Sequence, residues 1–181
     1  MKTAGIRSGV LPVEAGPNTA PFYRADWIGN QGKVVNLNMR IIESLSREET
    51  FELGREIGKN AKPCSVFALT GDLGTGKTVF TQGVAAGLGI TEPVTSPTFT
   101  ILQIYDGGRL PFFHFDVYRI EDIGEMEEIG YDDCFYKGGV CLIEWAEIIE
   151  DILPENTVRI KIEKDHTKGT EYRRITITGE L

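Results

Sequence analysis

Eight residues, Gly71 to Thr78, read GDLGTGKT. Glycine, four residues, glycine, lysine and threonine is the spacing of a P-loop, or Walker A, turn. Its glycines let the backbone take positive φ and come close to a ligand. The amides of Gly71, Asp72, Leu73, Gly74, Thr75 and Gly76 can then face inward as an anion nest. A following helix brings its positive dipole end to the same place. In that arrangement Lys77 reaches the β and γ phosphates and the Thr78 hydroxyl meets Mg²⁺. The alternative is an ordinary glycine turn between a strand and a helix.

The flanks favour the phosphate cradle. CSVFALT, before it, is a short apolar run with β character. KTVFTQGVAAGLGI, after it, has apolar Val79, Phe80, Val84, Ala85 and Leu88 at helical spacing, ending near Gly87 or Gly89. Strand, glycine-rich loop and helix in succession predict an α/β fold.

At 181 residues the chain has the length of one domain, with 41% hydrophobic residues to form a core. No apolar run has the length of a membrane span, and no signal-peptide pattern is present, so a cytoplasmic protein with no membrane partner is expected. Cys64, Cys134 and Cys141 lack paired metal-ligand spacing and read as buried free thiols. A net charge of −8 argues against holding a nucleic acid by phosphate neutralisation.

Residues 1–38 have scattered Gly, Pro and Asn and no sustained period. They read as a poorly ordered arm, or as a spurious extension from an upstream start with Met39 the true initiator. A partner-binding tail using Phe22, Tyr23 and Trp27 is the alternative.

From Met39 the pattern is regular. MRIIESL reads as a strand. SREETFELGREIGKNA is a helix opened by Ser46 with Glu49 three residues on, a capping box. TFTILQIYD and LPFFHFDVYRI are two strands joined by GGR, and GVCLIEW is a buried strand. TVRIKIEKD and YRRITITGEL form a closing hairpin. The sum is a single domain, 39–181, with a P-loop NTPase-like mixed β-sheet flanked by helices.

A P-loop magnesium usually needs an acid at the carboxyl end of another strand. Asp116 ends FFHFD and Glu144 ends VCLIE. Along FFHFD, Phe113 and Phe115 share one face and His114 and Asp116 the other. Glu144 is assigned to magnesium, directly or through a water. Asp116 is assigned to magnesium or to positioning an attacking water. Either acid could instead cap its strand or pair with a base such as Arg119. His114 could orient Asp116 or meet a partner. Ser96 and Thr98, with Thr95 around Pro97 in TSPTFT, suit a loop that senses a γ-phosphate, or a rigid turn into the next strand. Glu121 to Asp133 carries seven acids and no base, a solvated face or a docking surface for a basic partner. Trp145, directly after Glu144, could stack on a nucleotide or a partner side chain, or sit in the core.

GDLGTGKT, SPTFTIL.IY, FHFDVYRI and CLIEWAE, in this order and at these spacings, resemble the bacterial TsaE family, the P-loop ATPase of tRNA threonylcarbamoyladenosine biosynthesis. The resemblance runs from Met39 to about Ile177. Val79 departs from it, since the family often has a second threonine there. The resemblance implies a Mg²⁺-dependent ATPase, weak alone and stimulated by partners. It implies binding of ATP, and action on a TsaD/TsaB complex that modifies the adenosine beside the anticodon. ATP binding and hydrolysis would reset that complex between turnovers, with tRNA met only through the complex. It carries the P-loop, Thr78, Asp116, Glu144 and Trp145 over as site residues. It also places Ser46 to Thr50 near the nucleotide base and Arg174 near the nucleotide.

Two rivals use the same loop. A small-molecule kinase would have an arginine-rich lid, but only Arg109 and Arg119 lie between the P-loop and the last strands. A guanine-nucleotide switch would carry an Asn/Thr-Lys-x-Asp reader, and EKDH is not one.

Overall fold

Four short apolar strands form the parallel centre of the molecule. The computed structural model describes residues 11–13, 22–28 and 34–181, with side chains from Asn38 onward. The central strands are β4 (Ser65–Thr70), β6 (Phe112–Asp116), β7 (Val140–Glu144) and β8 (Val158–Lys164). β4 pairs in parallel with β7 and β8, and β6 in parallel with β7. Antiparallel strands extend this centre on both sides. β5 (Leu102–Tyr105) joins β6. On the far side follow β9 (Arg173–Thr178), β3 (Val34–Ser44), β2 (Phe22–Ile28) and β1 (Leu11–Val13). The order is β1-β2-β3-β9-β8-β4-β7-β6-β5.

Both faces of the parallel centre are covered, which is why β7 is buried along its whole length and reads as an apolar run. Phe67 and Leu69 of β4, Leu142 of β7 and Ile160 of β8 pack on one side with Ile57, Phe80, Val84 and Leu88. Those four belong to, or directly follow, two helices, α1 (Arg47–Asn60) and α2 (Lys77–Gly87). The alternate residues Val66, Ala68, Cys141 and Ile143 pack on the other side with Met126, Phe135 and Ile149. These come from α3 (Gly124–Ile129), α4 (Tyr131–Tyr136) and a 3-10 segment over Ala146–Ile152. The mixed α/β sheet flanked by helices is therefore the predicted architecture.

α1 begins as its sequence predicts. Ser46 Oγ accepts from the Glu49 amide at 3.1 Å, while Glu49 Oε2 accepts from the Leu45 amide at 2.7 Å. The return bond thus lands one residue before the cap.

α1 and α2 pack backbone to backbone through glycines. A Cβ on Gly54 or Gly58 would strike the carbonyl oxygen of Phe80 or Val84. One on Gly83 or Gly87 would strike that of Phe51 or Arg55. Because the obstructing atoms are backbone, side-chain rotation cannot relieve them. Gly83→Ala is expected to destabilise the fold by about 2–3 kcal/mol, read as a lowered urea midpoint with an unchanged slope.

Three local expectations are corrected. β5 starts only at Leu102, because the Thr100 and Ile101 amides turn back to the Pro97 carbonyl at 3.0 and 2.7 Å. Cys64 precedes β4 and is half-exposed at φ 61°, whereas Cys134 and Cys141 are buried. All three thiols are free, and burial pushes the Cys141 thiol far above its usual pKa. β3 begins at Val34, ahead of Met39. The reading of residues 1–38 as an arm or an upstream start falls largely on residues outside those described. Among the described residues no helix is long and apolar enough to cross a membrane.

Candidate functional site

β4, β6 and β7 all end at one edge of the sheet, and the chain folds its chemistry there. After β4 the loop takes left-handed or otherwise positive φ at Gly71 (143°), Gly74 (71°) and Gly76 (100°). At Gly71 a Cβ would strike the Ile162 carbonyl oxygen, so the close approach of β8 demands glycine there. Thr75 closes the turn, its hydroxyl donating to the Asp72 carbonyl at 2.9 Å. Gly76 caps α2 without a side-chain bond, so no side chain competes for the first-turn amides.

Lys77 folds back across this loop. Its Nζ donates to the Gly71 carbonyl at 2.6 Å and the Asp72 carbonyl at 3.1 Å. The same ammonium lies 3.8 Å from the centre of the Trp145 ring. Burial lowers the Lys77 pKa from its ordinary value, and the charges of Glu144, Glu147, Asp116 and Asp72 oppose that shift. Trp145 itself turns the chain out of β7 with φ 63° and packs against Tyr118.

The two acids predicted at strand ends are neighbours, since Asp116 and Glu144 are paired in the β6–β7 register. Both are almost fully buried at their residues but differ in how they are held. Asp116 is engaged through both oxygens. Its Oδ2 accepts from the Ser96 hydroxyl at 2.7 Å and the Thr98 hydroxyl at 2.6 Å, and its Oδ1 from the Tyr118 amide at 3.2 Å. Glu144 is held by one oxygen. Its Oε1 stands 3.0 Å from His114 Nε2 and 3.3 Å from the Thr81 hydroxyl, whose single hydrogen also has the Lys77 carbonyl at 3.0 Å. His114 therefore meets Glu144 across the sheet, not Asp116 two residues along its own strand.

The glycine loop, Lys77 and both acids border one cavity of about 710 Å³. Leu73, Gly74, Thr75, Gly76, Lys77 and Thr78 form one side of it. Ser96, Thr98, Asp116, Glu144 and Trp145 form another. Gly71 and Asp72 shape the loop behind the lining. Thr50 lines the cavity, while Ser46 is spent on capping α1.

Arg174 lies elsewhere. It is exposed and registers between Glu43 of β3 and Glu163 of β8. Arg173 lines the cavity instead, its Nε donating to the Thr75 carbonyl at 2.6 Å. Adjacent strand residues face opposite ways, so a one-residue shift in a distant match changes sides of the sheet. Tyr118 and Glu171 also line the cavity without a sequence expectation, and Arg47 lines it from within the Ser46 to Thr50 segment. Arg47 directly follows the N-cap Ser46. Glu171 and Arg173 reach the cavity only because β9 follows the turn after β8.

Thr78, Glu144 and Asp116 make an oxygen donor set of the kind a magnesium ion takes together with substrate phosphates. Among the described residues no group of three or more His, Cys, Asp or Glu gathers to hold a metal by itself.

Known proteins resemble this chain over most of its length. The family described as "Threonylcarbamoyl adenosine biosynthesis protein TsaE" matches residues 44–175. A tRNA threonylcarbamoyladenosine biosynthesis protein TsaE from Bacillus subtilis (strain 168) is 48% identical over 136 residues, covering 75% of this chain and 83% of that protein. Another from Treponema pallidum (strain Nichols) is 45% identical over 119 residues, covering 66% and 87%. The crystal structure of Bacillus subtilis YdiB superposes with a TM-score of 0.69 at 40% identity, covering 80% of this chain and 88% of that one. With the family matched across the loop, both acids and most of the sheet, the chain belongs to the TsaE family.

Proposed function

We propose that this chain is a Mg²⁺-dependent ATPase of tRNA threonylcarbamoyladenosine biosynthesis that resets a TsaD/TsaB-type transferase complex between turnovers. The family membership and the relatives' shared role in that biosynthesis support the pathway. The observation that carries the chemistry is the meeting of an uncapped glycine turn, Lys77, Thr78 and two buried carboxylates in one cavity.

Each residue has a task in this reading. The loop amides receive the phosphates. Lys77 exchanges two neutral carbonyl partners for phosphate oxygens, a stronger charge-assisted bond. Thr78 and Glu144 hold the magnesium, whose contribution is to neutralise charge on the phosphates. Asp116 fixes the 95–100 segment through Ser96 and Thr98, tying its position to the state of that loop. Turnover is slow alone and quickens when the partner complex orders this segment. The net charge of −8 fits tRNA being held by the complex, and the setting is cytoplasmic.

Calorimetry of the full chain with MgATP tests the nucleotide reading, and heat of binding is the expected result. Absence of heat, with and without the TsaD/TsaB complex, overturns it. Phosphate release measured with and without that complex tests the partner. An unchanged rate removes the complex from the proposal.

A further inference from the structure

His114 is completely buried, does not line the cavity, and has no task in the reading above. It is held firmly nonetheless. Its ring stacks on Phe112 with centroids 6.0 Å apart and planes 17° from parallel. Its Nε2 faces Glu144 Oε1 at 3.0 Å, and its Nδ1 is buried with no hydrogen-bond partner. Among the described residues, only Thr157 has another buried side-chain polar atom in that state.

The geometry chooses the proton's place. A neutral ring carrying hydrogen on Nε2 donates to the carboxylate and leaves only a lone pair unmatched at Nδ1. The other tautomer sets a lone pair against the carboxylate oxygen and strands an N–H in the core. Burying an unmatched polar group costs free energy, so a ring kept at this place points to work done through its other nitrogen.

That work bears on Glu144. His114 of β6 engages Oε1, with the Thr81 hydroxyl of α2 beside it, while among the described residues no protein group bonds Oε2. Oε2 is also not among the buried atoms that lack a partner, so it is the oxygen left open toward the cavity. The carboxylate is fixed in rotation, with one oxygen anchored and the other presented.

We propose that His114, in its Nε2–H tautomer, is a positioning residue that aims Glu144 Oε2 at the metal place beside Thr78. The inference rests on the proposed function for what Oε2 meets, but the tautomer and the link to Glu144 stand independently of it. Outer-shell partners that orient a metal-ligating group typically contribute ten- to a hundredfold to metal affinity.

Two measurements test it. The chain has only 2 histidines, His114 and His166, so long-range nitrogen–proton NMR of the full chain separates them readily. His114 is expected as the neutral Nε2–H form, and its nitrogen shifts are expected to move in Glu144→Gln. An Nδ1–H form, or shifts indifferent to Glu144→Gln, overturns the proposal. Second, Mn²⁺ bound with ATP is titrated by electron paramagnetic resonance. His114→Phe, which keeps ring volume and removes the donor, is expected to raise the Mn²⁺ concentration for half-saturation about tenfold, with metal-free ATP affinity unchanged. His114→Gln, which restores a donor, is expected to recover most of the loss. Unchanged Mn²⁺ affinity in a folded His114→Phe overturns the proposal. So does an equal loss in folded His114→Gln and His114→Phe. If His114→Phe does not fold, the tautomer and the Glu144→Gln shifts decide alone. Failure of the wild-type chain to bind ATP and Mn²⁺ would count against the proposed function, and the NMR result would still judge the His114–Glu144 link.

Discussion

Replacing Lys77 with alanine is expected to lower MgATP affinity by about a hundredfold or more, to the limit of calorimetric detection. A hundredfold is about 2.7 kcal/mol, within the range for losing a hydrogen-bonded ionic contact in a shielded place. Lys77 as a residue is only 6% exposed, so solvent competes for it chiefly through the cavity. Removing it also strips the Gly71 and Asp72 carbonyls of their shared donor. A circular-dichroism melt must therefore accompany the titration, and a retained melt with lost binding assigns the effect to phosphate contact. Binding at the parental affinity would mean that Lys77 stays folded on its own loop when the nucleotide is present.

The second large effect separates chemistry from binding. Glu144→Ala and Asp116→Ala are each expected to keep nucleotide binding and to lower turnover by about a hundredfold or more, the scale on which a single group stabilising a transition state acts. Their secondary signatures should differ. Asp116→Ala frees the Ser96 and Thr98 hydroxyls, so amide hydrogen exchange over 95–101 is expected to accelerate. Glu144→Ala leaves those bonds in place, so exchange there should not change, while the magnesium requirement rises. Normal hydrolysis by both variants would remove both acids from the magnesium assignment.

Much of this arrangement is readable in the chain because it is local. The glycine loop, the capping box and the strand ends at Asp116 and Glu144 are each written within a dozen residues or fewer. Pairings between distant segments are not written that way. His114 shares a strand face with Asp116, yet its ring reaches Glu144, because β6 and β7 lie side by side. The strand expected from Thr98 gives way to a turn, because Ser96 and Thr98 bond a carboxylate lying 20 and 18 residues downstream. Arg173 replaces Arg174 at the cavity for the pleat's own reason, since neighbours on a strand look in opposite directions. Tyr118 and Glu171 carry no local signal of their own. Their place depends on the strand order, and hydrophobic pattern alone leaves that order open.

The interlocked glycines of α1 and α2 have a mechanical result. With main chain pressed on main chain, the two helices behave as one fixed jaw that carries Thr50 and Arg47 together with Lys77 and Thr78. No hinge fits between them. Whatever movement the cavity allows therefore falls to the rest of its lining, including the 95–100 segment that hydroxyl bonds tie to the Asp116 carboxylate.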